Sequence, residues 1–373
     1  MNKVVISGSG LFTPPHGIAN AELVDSYNAY VDIFNSENAG LIAQGHLAPL
    51  SYSSSEFIEK ASGIKHRYVM VKEGILDPEV MMPLIPERSA DSLSMQAEMG
   101  VAAARMALDE AKLEAGQIDL VIVACAYTQR AYPAVAIEIQ RALGTRGFAY
   151  DMLVACSSAT FAMVSAMNAI ESGTAARVLV INPEICSAQV NYRDRDSHFI
   201  FGDVATAVVL EQEALTRSPQ AFRVLGSRCF THYSGNIRSN FGFLNRCDPA
   251  NAHNGDKLFH QQGRKVFKEL LPLIYQHLER QLGDAGLEPK DFKRLWLHQA
   301  NINMNQFVVK KLLGDALAPL QAPVVLDEYA NTASAGSVIA FHKYKHDFAA
   351  GDLGLLCSFG AGYSIGSLIL QKC

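Results

Sequence analysis

The chain has 373 residues, 49% hydrophobic and 18% charged, with a formal net charge of −5. This is the balance of a globular protein with a large core, and it gives no support to a nucleic-acid binder, which carries a basic face or stripe. Seven cysteines without a CxxC pair point to a reducing compartment, no apolar run is long enough for a membrane span, and MNKVVISGSGLF reads as a strand rather than a signal peptide, so a cytoplasmic protein is expected.

In chain order the first half alternates strands and helices. Strands are expected at 3–11, 119–127, 149–153, 177–184 and 205–211, with helices over 92–112 and 157–172. Gly8 and Gly10 lack the third glycine of a dinucleotide fingerprint and read as a tight turn. The polar stretch EQEALTRSPQAF at 211–222 marks a boundary. Beyond it, strands are expected at 222–230, 294–299, 323–329, 353–359 and 367–371, with helices over 264–284 and 332–349. Helices apolar from their first turns, such as 157–172 and 332–349, belong between other layers.

Three matches in the same order show an internal repeat. AKLEAGQIDLVIV at 111 pairs with AGLEPKDFKRLWL at 285, and 285 − 111 = 174. ACSSAT at 155 pairs with ANTASA at 330, an offset of 330 − 155 = 175. FGDVATAVVLEQ at 201 pairs with FGAGYSIGSLILQK at 359. Collinear matches argue for a duplicated α/β unit, with halves at 1–213 and 220–373.

The chemistry-bearing residues sit on this repeat. Cys156 opens the helix at 157–172, where unpaired N–H groups and the macrodipole would lower a thiol's pKa. His298 ends the strand at 294–299, and Asn331 opens the helix at 332–349. By the second match, Cys156 and Asn331 occupy equivalent places, and a pseudo-twofold axis would bring them together. Alone, Cys156 would be a core thiol, His298 a hydrogen-bonded structural histidine and Asn331 a helix cap. Together they form a nucleophilic constellation.

The chain resembles the β-ketoacyl-acyl-carrier-protein synthase III family of thiolase-fold condensing enzymes. SGIKHRY at 62, the Cys156 turn, FGDVATAVVL at 201, HQAN at 298, YANTASAGS at 329 and FGAGYSIGS at 359 carry the resemblance. It implies a duplicated thiolase-like α/β/α/β/α architecture in five layers, a homodimer, and a Cys156–His298–Asn331 site. Cys156 would take an acyl group from acyl-CoA, with backbone N–H groups of Cys156 and Ala361 as the oxyanion hole. His298 and Asn331 would stabilise the enolate formed as malonyl-acyl carrier protein loses CO2. No metal or redox cofactor is required. The resemblance places Phe359 beside the Cys and His, Arg195 and Phe57 at the CoA mouth, and Tyr132 at the partner's acyl pocket. It matches Arg264, Lys265, Lys268, Lys310 and Lys311 to a carrier-protein docking patch.

The chain departs from the family pattern at several points. Phe57 replaces a Trp, Ala61 and Asn303 replace arginines, and Ala361 replaces a Gly. Two stretches, 27–55 and 70–90, look long and flank the expected entrance. Met81, Met82, Leu84 and Ile85 in the second are apolar and adaptable. These features suggest a medium-chain acyl group. A specialised or non-decarboxylating condensing enzyme and a non-catalytic binding member remain alternatives. The other cysteines, 125, 186, 229, 247, 357 and 373, read as buried inert thiols.

Overall fold

A computed structural model describes residues 3–89, 91–240, 247–252, 254–314, 318 and 320–373. Ala90, the last residue of the second long stretch, lies outside them. The first half comprises β1 (Val4–Phe12), β2 (His16–Ala19), α1 (Asn20–Glu37), α2 (Ala39–Ala43), α3 (Ser55–Ser62), β3 (His66–Val69), α4 (Met95–Ala111), β4 (Leu120–Cys125), α5 (Val135–Leu143), β5 (Phe148–Leu153), α6 (Ser158–Glu171), β6 (Arg177–Ile185) and β7 (Asp203–Gln212). The second comprises β8 (Phe222–Ser234), β9 (Ile237–Arg238), β10 (His260–Gln261), α7 (Gly263–Ala285), β11 (Phe292–Leu297), α8 (Ile302–Leu313), α9 (Leu326–Tyr329), α10 (Gly336–Lys343), β12 (Leu353–Gly360) and β13 (Gly362–Lys372).

Side-chain alternation builds the layers. On β4, Leu120, Ile122 and Ala124 face a central cluster with α6 and α10, while Val121, Val123 and Cys125 face α4 and α5. On β11, Trp296 faces the same central cluster, while Leu295 and Leu297 face α7 and α8. The succession is α4/α5, the first sheet, α6/α10, the second sheet, α7/α8. The two sheets are joined through Val5↔Arg223 and Ile6↔Phe222, giving the continuous order β11-β12-β13-β8-β1-β7-β6-β4-β5.

The duplication is written in the register. In the first half Val178 pairs with Leu120 and with Leu210. In the second Gly354 pairs with Arg294 and with Leu370. Even the short helical turns that precede β4 and β11 match: the Glu114 N–H donates to Gln117 Oε1, and the Glu288 N–H to Asp291 Oδ2.

Four local expectations are corrected. Gly8 and Gly10 make no tight turn but lie within β1. A Cβ there would stand 2.1 Å from the Ala107 oxygen or 2.0 Å from the Ala103 oxygen, so the glycines let α4 lie on the strand backbone. Residues 323–329 form no strand, because Gln299 Oε1 accepts from the N–H groups of Val325 and Leu326, and the chain turns into α9. The helix expected to reach residue 349 ends at Lys343, and Lys345 is drawn into the core to donate to Ser9 Oγ and Glu110.

The fourth correction concerns the pseudo-equivalence. Short 3-10 turns, Ala155–Ser157 and Ala333–Ala335, lead into α6 and α10. Ala155 and Ala333 have φ of 45° and 46°, and the preceding Val154 and Thr332 both have ψ of 38°. The residue equivalent to Cys156 is therefore Ser334, not Asn331. The short sequence match was out of step with the backbone by three residues (178 − 175 = 3).

Candidate active site

Cys156 sits in the middle of its 3-10 turn, directly after left-handed Ala155. Such a backbone is costly for a non-glycine residue and persists only where its surroundings hold it. Here Ser158 Oγ accepts from the Val154 N–H at 2.8 Å and lies 3.0 Å from the Cys125 oxygen. The end of β12 closes on the other side: a Cβ on Gly360 would stand 2.6 Å from Cys156 Cβ and 3.0 Å from its sulfur. The backbone N–H groups of Ala361 and of Cys156 itself act on the sulfur.

These N–H groups do not win the contest over the thiol. Burial, and then the Glu184 carboxylate, push Cys156 up to about 12. The expected lowering by the helix start is corrected: the thiol rests protonated, because desolvation of a thiolate outweighs two peptide dipoles.

His298 directly follows β11, and its N–H donates to the Cys357 oxygen at 2.8 Å. It is buried, its ring meets Phe359 edge-on with centroids 5.2 Å apart, and its Nδ1 has no hydrogen-bond partner among the described residues. Burial pushes the imidazole down to about 3, so it is neutral near neutrality and carries one N–H donor. Asn331 follows left-handed Ala330. Its N–H donates to the Ile200 oxygen, and its own carbonyl accepts from Gly202. Its Oδ1 accepts from the Ala333 N–H at 2.9 Å, which leaves the amide N–H2 as the end that can address a ligand.

Cys156, His298 and Asn331 line one cavity of about 450 Å³, with Phe57, Phe359, Gly360 and Arg264 among its other walls. A nucleophile, two N–H groups at its sulfur and two neutral donors across a largely apolar cavity suit acyl transfer through a thioester.

Two family models match: the 3-oxoacyl-[acyl-carrier-protein (ACP)] synthase III model over residues 150–232 and its C-terminal model over 282–372. A beta-ketodecanoyl-[acyl-carrier-protein] synthase of Pseudomonas aeruginosa is 54% identical over 94% of this chain and all of its own. A beta-ketoacyl-[acyl-carrier-protein] synthase III of Brucella anthropi is 31% identical over 86% of this chain and 91% of its own. The crystal structure of a 3-oxoacyl-[acyl-carrier-protein] synthase III from Aquifex aeolicus superposes with a TM-score of 0.76, at 25% identity and covering 99% of both chains. The chain belongs to the 3-oxoacyl-acyl-carrier-protein synthase III family. It is an acyltransferase-type condensing enzyme of fatty-acid synthesis with the thiolase fold.

Within this synthase III frame the remaining expected residues divide. Phe57 lines the cavity, while Arg195 stands at its rim, its guanidinium 3.9 Å from the Phe57 ring centroid. Tyr132 is 83% exposed and is not among the cavity walls. Arg264 lines the cavity, and Lys265, Lys268, Lys310 and Lys311 are exposed on α7 and α8. Phe267 meets Phe307 at 6.1 Å, and Lys311 lies over the Phe307 ring, so α7 and α8 touch through these rings. Asn303 does not replace the family's charge: with Asn301 it turns toward the Ala61 oxygen and ties α8 to the end of α3.

The long stretches form a collar. On α1, Asn28 and Asn35 each exchange two hydrogen bonds with the backbone of Ser53 and Leu50, and Asp32 accepts from the Tyr52 hydroxyl. Arg195 donates to the Tyr52 oxygen, and Arg193 to the Glu79 oxygen. The apolar residues of the second stretch do not enter the cavity. Met81 is buried in the core beside α1, whereas Met82, Leu84 and Ile85 are exposed.

The remaining cysteines are split rather than uniformly buried. Cys125, Cys186 and Cys357 are buried, but Cys229, Cys247 and Cys373 are exposed. Among the described residues, no His/Cys/Asp/Glu cluster could hold a metal, and no helix is long and apolar enough to cross a membrane.

Sequence reasoning missed Glu184. This wholly buried carboxylate accepts from the Ala126 and Ser334 N–H groups and from the Ser334 hydroxyl. The available signal was a lone charge ending an apolar strand, RVLVINPEI.

Proposed function

We propose that this enzyme condenses a medium-chain acyl-CoA with malonyl-acyl carrier protein through an acyl-Cys156 intermediate. The observation that carries the proposal is the convergence of Cys156, His298 and Asn331 on one cavity, with two backbone N–H groups at the sulfur. Cys156 loses its proton, attacks the thioester carbonyl and expels CoA as a thiol. The Ala361 and Cys156 N–H groups hold the tetrahedral oxyanion. Malonyl-acyl carrier protein then enters, and its carboxylate leaves as CO2. Its thioester oxygen gains negative charge, which the neutral His298 and the Asn331 amide stabilise by donation. The resulting carbanion attacks acyl-Cys156, forms the new C–C bond and releases the sulfur.

The Pseudomonas relative bears the name of a ten-carbon 3-oxoacyl product. Because malonyl contributes two carbons after decarboxylation, an eight-carbon donor accounts for it, and an octanoyl donor is proposed here. Each buried CH2 contributes about 0.8 kcal/mol, so the six methylene-equivalents separating octanoyl from acetyl provide ample discrimination. The acidic carrier protein docks on Arg264, Lys265, Lys268, Lys310 and Lys311, and electrostatic steering would make that step salt-sensitive. A homodimer, in which Tyr132 of one protomer reaches the acyl pocket of its partner, and a cytoplasmic location complete the reading. No resident cofactor is assigned a role.

The test is competition between acetyl-CoA and octanoyl-CoA for acylating Cys156, read by intact-protein mass spectrometry. A predominant octanoyl adduct is expected. A predominant acetyl adduct would return the enzyme to two-carbon initiation.

A further inference from the structure

The two N–H groups assigned to the oxyanion come from opposite halves of the duplication. Cys156 lies on the 3-10 turn of the first half, and Ala361 is the single residue between β12 and β13 in the second. They are 361 − 156 = 205 residues apart, so the chain itself does not hold them in register. Tyr363 anchors the β12–β13 hairpin within its own half. Its hydroxyl accepts from the Asn236 amide at 2.9 Å and donates to Glu269 Oε2 on α7 at 3.1 Å.

The tie between the halves is a pair of buried serines. Ser157, next to Cys156, donates from its hydroxyl to the Ser364 carbonyl at 3.0 Å. Ser364 donates from its hydroxyl to the Ala361 carbonyl at 2.9 Å, and the two hydroxyl oxygens lie 3.0 Å apart. Each hydroxyl has one proton, and this arrangement places both. Both side chains are buried, so water does not compete for these bonds. The hairpin also presses on the turn itself: a Cβ on Gly360 would stand 2.6 Å from Cys156 Cβ.

The other copy of the framework lacks this clasp. Since Cys156 is equivalent to Ser334, Ala335 is the counterpart of Ser157. Val178 and Gly354 correspond in the sheet, and six residues on from each (184 − 178 = 6 and 360 − 354 = 6) Glu184 pairs with Val204 and Gly360 with Ser364. Val204 is therefore the counterpart of Ser364. Neither Ala335 nor Val204 carries a hydroxyl. The same fold holds its second turn without the clasp, so the fold alone does not require it, and it stands beside the thiol.

We propose that Ser157 and Ser364 are positioning residues that hold the N–H groups of Cys156 and Ala361 at the spacing an oxyanion needs. Such donors act when they stand about 2.7–3.1 Å from the oxygen as it gains charge, and outright loss of one costs about 10²–10³-fold in rate. Releasing the clasp keeps both donors but lets hairpin and turn shift against each other. The inference rests on the reading that Cys156 is the nucleophile and that these two N–H groups surround the new oxyanion.

The experiment compares two reactions of one sulfur, each followed by intact-protein mass spectrometry. Acylation by octanoyl-CoA or acetyl-CoA passes through an oxyanion. Alkylation by iodoacetamide does not, because the sulfur displaces iodide from a CH2 carbon. Ser364→Ala and Ser157→Ala should each slow single-turnover acylation about tenfold, a part of the cost of losing a donor outright, while Cys156 alkylates at the wild-type rate. The double variant should be no slower than the slower single one, because the pair acts as a unit. Ser157→Ala leaves the bond from Ser364 to Ala361 in place, so it decides the matter if Ser364→Ala does not fold. Acylation unchanged in both variants, acylation and alkylation slowed alike, or additive losses in the double variant would overturn the proposal. Failure of the underlying reading shows separately, in the wild-type enzyme: no adduct at Cys156 from either thioester dismisses the nucleophile and this inference with it.

Discussion

The turn at Ala155–Ser157 and the turn at Ala333–Ala335 have the same backbone and opposite chemistry. The sheet register extends the comparison. Glu184 pairs with Val204 at the end of β6, and Gly360 pairs with Ser364 at the end of β12, so the two are equivalent. Each faces the turn of the other half. In one place a carboxylate binds the Ser334 hydroxyl and closes the turn. In the other a glycine leaves the Cys156 sulfur open to the cavity. A duplicated framework thus yields one turn that opens a thiol to the cavity and one turn closed by a buried carboxylate, through differences at two equivalent positions.

The largest test of that asymmetry removes the thiol. Cys156→Ser should form no acyl-enzyme by intact-mass measurement while keeping its circular dichroism, since a serine hydroxyl is scarcely ionised at neutral pH. Adding Ser334→Cys to that variant should not restore acylation, because the new thiol stands against the buried carboxylate. An acyl group found on the introduced thiol of the double variant would break the comparison outright.

The next effects concern the donors. His298→Ala and Asn331→Ala should still acylate Cys156 but lose decarboxylation of malonyl-acyl carrier protein by about 10²-fold or more. Release of labelled CO2 checks this, and failure at acylation with normal decarboxylation would reverse the assignment. Gly360→Ala should slow acylation by about 10²-fold, because its Cβ would displace the attacking sulfur by an appreciable fraction of an ångström. Single-turnover acylation reads it; a rate near wild type would show that the turn yields without cost.

The smallest effect is on stability. Burial holds His298 at about 3 in the folded protein against an ordinary 6.5, so the unfolded chain binds more protons between those values. Its contribution to stability is present above pH 6.5 and is lost as pH falls through this window. From about pH 6.5 to about pH 5 the loss is about 2 kcal/mol. His298→Gln should show a correspondingly shallower fall in denaturant midpoint over that range, and an unchanged slope would mean that His298 does not set it.

Most strands, the duplicated layers and the three side chains that meet at the cavity were legible because each rests on local pattern: a short run of apolar residues, buried throughout, on β4, an HQAN ending a strand, a Cys among small residues. What was not legible depends on contacts between distant segments. Gly8 and Gly10 read as a turn because nothing in GSG reveals that α4 will press on β1. The strand at 323–329 was lost to a side chain, Gln299, whose carbonyl takes the N–H groups a ladder would need. Cys156 and Asn331 were paired by a string match, whereas left-handed φ at Ala155 and Ala333 fixes the true equivalence. The thiol's ionisation was misjudged because the helix start is local, while the burial and the Glu184 charge that oppose it come from elsewhere.

The central place of β1 has a consequence for how the chain reaches this state. Its neighbours are β7, whose Leu210 pairs with Ile6, and β8, whose Phe222 pairs with the same residue. During synthesis the opening strand must therefore wait for some two hundred further residues before either partner exists. At ribosomal speeds of roughly 5–20 residues per second that is an interval on the order of tens of seconds. In that time Val4, Val5 and Ile6 have no strand beside them, and contacts of such long sequence separation form slowly. The residues of β1 are made long before their partners and are among the last to find their place, so substitutions in β1 should reduce the yield of folded enzyme more than the activity of the molecules that do fold.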